Sequence, residues 1–302
     1  MSSILTNASA LTALQNLAAT QKNLQTTQNQ ISTGLKVASS ADNASYWSIA
    51  TTMKSDNGAL GAVKTSLGQS ASMLNFANSA VTSAISVMNQ IKNDLVTAKQ
   101  PGADLAKIGT DIAQASAQLS SIVSSASYAQ NNLLDGSKSS FDMVSSFDRD
   151  ATGGTKVGTI DLAASALKAT ASGSVAKSGI LEGGDGVAAD ATGTATDFTS
   201  LTAAGMASLD LDATIANADK TLTNLQNYAS TLGATQTRIG MQQTFISSMS
   251  DALTNGVSAL VDADMNEAST RLQALQTQQQ LGVQSLSIAN QNTQMILKLF
   301  GG

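Results

Sequence analysis

ASTRLQALQTQQQLGVQSLSIANQNTQMILKLF, Ala268 to Phe300, decides the fold. Alternating steps of four and three pick out Ala268, Leu272, Leu275, Gln279, Gly282, Leu286, Ala289, Thr293, Ile296 and Phe300, with Leu299 beside the last turn. That alternation places one face of a helix against a partner helix. The opposite end of the chain offers the partner. Asn7, Ala10, Leu14, Leu17, Gln21, Leu24, Gln28, Ile31 and Leu35 repeat the same spacing, with Leu11 at its flank. Gln, Asn and Thr interrupt both stripes. The spacing therefore predicts two weakly amphipathic terminal helices that meet each other or copies of themselves. An isolated helix of this kind is marginal in water, so each is expected to order only on meeting its partner.

The composition agrees with helices packed side by side. The 302 residues include only 3% aromatics, one Pro and 12% charged residues, against about 25% charged in ordinary soluble domains. Its cores are expected to be thin seams of Leu, Ile, Val and Met. The net charge of −5 argues against nucleic acid, which rewards basic patches. The sequence contains no Cys and no His. Disulfides, thiol chemistry, and the commonest general base and zinc ligand are thereby excluded. No cofactor is expected. No basic residue precedes Lys22, so no cleaved leader is expected, and no run approaches the ~20 apolar residues of a membrane span.

Taken in order, the first helix is expected to start at a Thr6 or Asn7 cap and to stop before Gly34. A short helix follows, capped by Ser40 or Asp42 and carrying Tyr46, Trp47, Ile49 and Met53, with Trp47 as a local core anchor. From Leu67 a cleaner stripe runs through Leu74, Val81, Ile85, Met88 and Leu95 to the Pro101–Gly102 turn. Another, through Ile108, Ile112, Leu119 and Ile122, is expected to reach Leu133 and to form a helical hairpin with it. Residues 141–147 and 156–162 read as two short strands bending at Gly153 and Gly154. Beyond Ala163 the apolar pattern thins, and the Gly183–Gly186 cluster reads as a surface loop. It lacks the Lys of a phosphate loop and the spaced acids of a calcium loop. Helix resumes near Leu209 and carries Leu222, Leu225, Leu232, Ile239, Ile246 and Leu253. Asp262, Asp264 and Glu267 read as carboxylates favoured at a helix N-terminus rather than as a metal or acid–base site. No pair of acids sits in an apolar setting, so an enzyme is not expected.

The fold class is thus mainly α: long coiled-coil-like helices in a bundle, paired terminal helices, and a small β-hairpin or β-rich middle insertion. Residues 1–36 with 268–302 form the terminal pair. Residues 37–162 with 210–267 form the bundle and hairpin, and 163–209 a short surface-exposed segment.

Several motifs carry a resemblance. Ile4 to Asn7, Ala10 with Leu11, Asn16 with Leu17, Ile31 to Lys36 and Ser40 to Ala44 resemble the N-terminal part of bacterial flagellin. Leu232 to Ile239, Asp262 to Glu267, Ala289 to Gln291 and Ile296 to Phe300 resemble its C-terminal part. The likeness covers roughly residues 1–135 and 215–302. Tyr46 and Trp47 depart from it, standing where the family has a small residue and Gly. The resemblance implies a filament subunit exported unfolded through the flagellar type III apparatus, with an export chaperone and a filament cap as partners. Its terminal helices would line an inner tube and its bundle a surrounding layer, in an extracellular homopolymer that can include sister flagellins. Many family members carry an Arg-rich patch read by an animal innate receptor. The matching positions are taken here as Ile91, Asn93 and Asp94, without Arg, which implies weak or absent recognition. Two rival readings are a hook–filament junction protein of the same superfamily and a signalling coiled coil. Agreement at both ends disfavours the first. The Gly-rich middle and missing span disfavour the second.

Overall fold

A computed structural model describes residues 7–138, 140–150, 152, 154–163, 167, 179–182, 196–203 and 210–300. Five α-helices carry this part of the chain: α1 (Ala8–Thr33), α2 (Ala44–Ala98), α3 (Leu105–Ser125), α4 (Leu211–Val261) and α5 (Met265–Phe300). Two antiparallel hairpins lie between α3 and α4: β1 (Ser127–Tyr128) with β2 (Asn131–Asn132), and β3 (Ser140–Arg149) with β4 (Thr155–Ala163). The chain divides into two compact units, residues 1–58 with 250–302, and residues 59–249.

Within the larger unit, the hydroxyls of a Ser/Thr-rich sequence fold back onto the helix backbone. Thr65, Ser70, Ser72, Ser79, Thr82 and Ser83 each donate to the carbonyl four residues earlier. Such bonds satisfy the hydroxyl but add little to helix stability, so the seams must supply it. The buried residues of α2 in this unit are Leu60, Val63, Leu67, Ser70, Leu74, Ala77, Val81, Ala84, Met88, Ile91, Leu95 and Ala98. They alternate by three and four throughout. Of the expected stripe, Leu67, Leu74, Val81, Met88 and Leu95 are in this seam, while Ile85 is only half-buried. The seam uses the smaller Ser70, Ala77 and Ala84 instead, which let a neighbouring backbone approach closely. Nor is there a separate short helix around Trp47. Asn43, not Ser40 or Asp42, caps α2 by accepting from the Tyr46 amide at 3.1 Å, and α2 runs 55 residues without a break.

Helix α4 lies antiparallel to α2 in this unit. Lys92 pairs with Asp219 at 2.5 Å, Lys99 with Asp212, and Gln236 donates to Asn75 at 2.6 Å. The two residue numbers of each pair add to 311, as one fixed antiparallel register requires. Leu222, Leu225, Tyr228, Leu232, Ile239 and Ile246 fill the α4 side. Helix α3, capped by Asp104, buries Ile112, Ala115, Leu119 and Val123. Ile108 and Ile122 are half-buried. It stops eight residues before the expected end at Leu133. The Asn132 side chain takes the Val123 carbonyl at 2.7 Å and accepts from the Leu134 amide at 2.8 Å. Ala129 and Gln130, at φ 48° and 66°, make the tight turn that reverses the chain.

The β3–β4 hairpin extends both expected strands, and its register shifts between Val144 and Ser146. This bulge turns out the Ser145 carbonyl, which accepts from Gln242 of α4 at 2.9 Å. The expected bend includes Gly153, which lies outside the described residues; beside it, Asp150 accepts from the Thr152 amide at 2.9 Å and the Gly154 amide at 2.7 Å. The middle segment is not wholly a surface feature. Leu167, Ile180, Leu181 and Phe198 are buried. The Leu167 amide donates to the Leu134 carbonyl, Leu181 to Leu167, and Phe198 to Leu181, at 2.8, 2.9 and 2.8 Å. The Gly183–Gly186 loop lies outside the described residues.

Candidate functional site

The smaller unit holds the two terminal helices. Asn7 caps α1 by accepting from the Ala10 amide at 3.0 Å, and its Nδ2 donates to the Ala289 carbonyl of α5 at 2.9 Å. Gly34, at φ 70°, ends α1 in the left-handed conformation that glycine adopts without strain. At that end the chain is pinned to the start of α5. The Ala263 amide donates to the Gly34 carbonyl at 2.9 Å, and the Lys36 and Val37 amides to the Val261 carbonyl at 2.6 and 3.2 Å. The two helices are thus fixed antiparallel at both ends. Asp264 opens α5 by accepting from the Asn266 amide at 2.9 Å and the Glu267 amide at 3.3 Å. Glu267 in turn holds Arg271 at 2.7 Å. Among the described residues no group of acids could hold a metal ion.

Along α5 the non-exposed residues from Ala268 to Gln291 are Ala268, Leu272, Leu275, Gln279, Gly282, Leu286 and Ala289. A side chain at Gly282 would meet Leu17 Cδ1 at 2.9 Å, so the helices touch there across a missing Cβ. Ile296, Leu299 and Phe300 lie in the part of α5 whose side chains are outside the described set.

The α1 stripe keeps the expected Asn7, Ala10, Leu17, Leu24, Ile31 and Leu35 on its inward side and departs from the expectation at three positions. Leu17 and Leu24 are half-buried, with Ile31 and Leu35 at the same level, and Ala13, Thr20, Thr27 and Gln30 complete the inward face. Leu14, Gln21 and Gln28 point outward. The added inward positions are mostly small, Ala13, Thr20 and Thr27, as Ser70, Ala77 and Ala84 are on α2. Leu11 and Leu14 are each 55% exposed; on α5, Leu281, Val283 and Ile288 are 57%, 53% and 61% exposed. The pair is therefore poorly covered. Of its described residues only Thr27, Ala268 and Leu275 are buried, and large apolar side chains stand outward on both helices.

At the junction, Val37, Ala50, Val257 and Val261 form a small core with Leu35, Met53 and Leu260 packed on it. Leu253 is half-buried. Asn57 donates to Thr254 at 3.1 Å and accepts from Ser250 at 2.5 Å. The Asp42 carboxylate accepts from the Ser39 amide, the Ser39 hydroxyl and the Ala38 amide at 2.9, 3.0 and 3.1 Å. These bonds, the Ser39 amide foremost, hold its carboxyl below the ordinary range. Trp47 is not a core anchor: it is 39% exposed beside Tyr46 at 45%.

Ile91 is fully buried in the α2 seam and stands in no surface patch. The exposed positions of that stretch are Asn89, Gln90 and Asn93. Asp94 is half-buried with Oδ2 enclosed and unpartnered. Burial, with a smaller push from Asp111, raises its carboxyl above the ordinary range.

A family profile described as the bacterial flagellin N-terminal helical region matches residues 4–139. A second, the bacterial flagellin C-terminal helical region, matches residues 215–300. Flagellin C of Rhizobium meliloti is 43% identical over 322 aligned residues, covering 99% of both chains. A flagellin of Brucella melitensis biotype 1 is 43% identical over 303 residues, covering 100% of both. The crystal structure of Bacillus cereus flagellin aligns with a TM-score of 0.40 at 15% identity, over 59% of this chain and 86% of that one.

Proposed function

The chain belongs to the bacterial flagellin family, and on that premise we propose that α1 and α5 are its polymerising element. It is a structural subunit of the extracellular flagellar filament, self-assembling with its own copies and with sister flagellins, and it is not an enzyme. The reading of the terminal helices goes further. One observation supports it: a helix pair with so little of itself buried leaves Leu11, Leu14, Leu281, Val283 and Ile288 turned outward. Apolar side chains in such numbers on one thin pair ask for cover, and neighbouring copies supply it. The pair then belongs to residues 1–36 and 268–302, the bundle and hairpin to 37–162 and 210–267, and the connecting segment to 163–209.

A terminal pair that orders only on assembly also suits export. An unfolded chain can thread the flagellar export apparatus, be kept open by an export chaperone and fold beneath the cap, with ordering coupled to binding. Purified full-length protein, seeded and salted out, is expected to give long filaments by negative-stain electron microscopy. The chain without residues 1–36 and 268–302 is expected to give none. Filaments from both would overturn the assignment, and short stubs from both would favour the hook–filament junction reading.

The animal receptor is a separate matter. With Asn89, Gln90 and Asn93 on the exposed face of α2, no guanidinium is offered where a bidentate donor is needed. Recognition is expected to be weak or absent, and normal potency in a cell-reporter assay would refute this.

A further inference from the structure

A groove in the larger unit runs between α2, the β1–β2 hairpin and β3. Ser66 and Asn131 line both of its ends. Tyr128 lines one end, of about 240 Å³. Lys138, Phe141 and Asp142 line the other, of about 420 Å³, within the roughly 300–1,000 Å³ usual for small-molecule sites. Asn131 stands between the two ends. It is the cross-strand partner of Tyr128, and its Oδ1 accepts from Lys138 Nζ at 3.0 Å. The same Nζ lies 5.1 Å from the centre of the Phe141 ring. The ammonium is thus fixed from two sides, yet among the described residues it forms no ion pair. The side chains of Ser66, Tyr128 and Asp142 likewise make no hydrogen bond among them, and Tyr128 is 37% exposed. The turn that sets Tyr128 against Asn131 is strained, since Ala129 and Gln130 take positive φ without being glycine.

We propose that this groove binds an acidic monosaccharide of the hexuronate class, with the sugar ring on Tyr128 and its carboxylate on Lys138. A pyranose asks for what this wall offers. Its C–H face packs on an aromatic ring, and each of its hydroxyls both donates and accepts. The hydroxyls of Ser66 and Tyr128 do either, and the Asp142 carboxylate accepts. One fixed ammonium answers one carboxylate through a charge-assisted bond. Other ligand classes fit less well. A phosphate carries more charge than one cation answers, Asp142 in the same wall repels it, and the lining holds no Arg to grip it in two places. A wholly apolar ligand would leave the polar groups of the wall without partners. The binding makes and breaks no covalent bond. It is independent of the filament reading, because one chain carries the whole groove.

Amide NMR of the full-length monomer, titrated with a panel of small molecules, tests the site. Glucuronate is expected to bind with a millimolar dissociation constant and to shift the signals of Tyr128, Asn131 and Lys138. Glucose, which lacks the carboxylate, and acetate, which lacks the ring, should each bind at least fivefold more weakly. Inorganic phosphate should bind no better than acetate. Lys138→Gln should bring glucuronate down to the level of glucose and leave glucose itself unchanged. Tyr128→Ala should weaken glucuronate and glucose alike, and Tyr128→Phe should restore most of both. Circular dichroism melting like that of the wild type shows that a variant is folded. The panel on the unaltered chain decides even where a variant fails to fold. Acetate or phosphate binding as tightly as glucuronate would reduce the groove to a bare anion contact and overturn the sugar. Equal binding of glucose would overturn the role of Lys138, and with it the acidic class. Glucuronate shifts confined to other parts of the chain, or no shifts at all, would overturn the site.

Discussion

Asp94 keeps one carboxylate oxygen enclosed and unpartnered in the larger unit, with the like charge of Asp111 nearby. Burial and repulsion favour its protonated form, so the folded chain holds this proton more tightly than the unfolded chain does. The linkage follows from that direction. The stabilising contribution of protonated Asp94 is complete below the unfolded value, about 3.9, and is lost as pH rises through the elevated folded value. At neutral pH the ionised group is a net burden. Asp94→Asn, which keeps shape and removes charge, is expected to raise the melting temperature at pH 7, with the advantage shrinking as pH falls toward 4. Calorimetry across that range checks it, and an equal effect at both ends would refute the assignment. Asp42 has the opposite sign. Its carboxyl is held low by the Ser39 and Ala38 donors, so what it contributes is present above the unfolded value and lost as pH falls through the folded one. Neither shift was legible in the sequence, where Asp42 read as a helix cap and Asp94 as a surface position, since both arise from neighbours that folding brings close.

Among the elements, α4 was the most legible. Leu222, Leu225, Leu232, Ile239 and Ile246 are large, regularly spaced and buried, so periodicity alone finds them. Leu232→Ala is accordingly expected to cost about 2–5 kcal/mol in the larger unit, read as a lowered denaturation midpoint with unchanged slope. Helix α2 was half legible. Its seam alternates large Leu67, Leu74 and Val81 with small Ser70, Ala77 and Ala84, and small residues carry little weight in a pattern of bulk. Gly58, Gly61 and Gly68 each weaken α2 by only about 1 kcal/mol against Ala, which a seam of twelve buried residues outweighs. The end of α3 was not legible, because it depends on one side chain. Asn132 holds the Val123 carbonyl and the Leu134 amide, and nothing in its spacing announces that. Asn132→Ala leaves the buried Leu134 amide without its acceptor and the Val123 carbonyl with the Ala126 amide alone, at about 1–3 kcal/mol, and a smaller loss than Leu232→Ala is expected in the same titration. The burial of Leu167 and Phe198 was hidden for a related reason. Single apolar residues in a Gly- and Ser-rich stretch have no period, and each is placed by a backbone hydrogen bond to a distant residue. The outward face of the terminal pair was legible as a type of surface but not in its register, since Leu14 was read inward and stands outward.

At the scale of the whole molecule, stability is uneven by construction. Twelve residues of α2 in the larger unit are buried, whereas the described residues of α1 include one buried position, Thr27, and those of α5 two, Ala268 and Leu275. Each fully buried large aliphatic side chain contributes about 1.5–3 kcal/mol, so the larger unit holds its amides far more firmly than the terminal pair can. Local opening should therefore start in α1 and α5 and leave α2 closed. In hydrogen exchange of the monomer, amides of α1 and α5 are expected to exchange within minutes while those of α2 between Leu67 and Leu95 persist for hours. Assembly covers Leu11, Leu14, Leu281, Val283 and Ile288, and the terminal amides should then slow to the level of the bundle. The amides of Leu67 to Leu95, already closed, should change little. Equal protection of α1, α5 and α2 in the monomer would show that the terminal pair is stable without neighbours. In that case, order at the ends of the chain would not depend on assembly. An unchanged α1 and α5 in the filament would move the polymer contact to another surface. Slowing confined to the terminal helices would place the ordering step where the chain is least buried, which is the economy expected of a subunit that must stay open until it meets its copies.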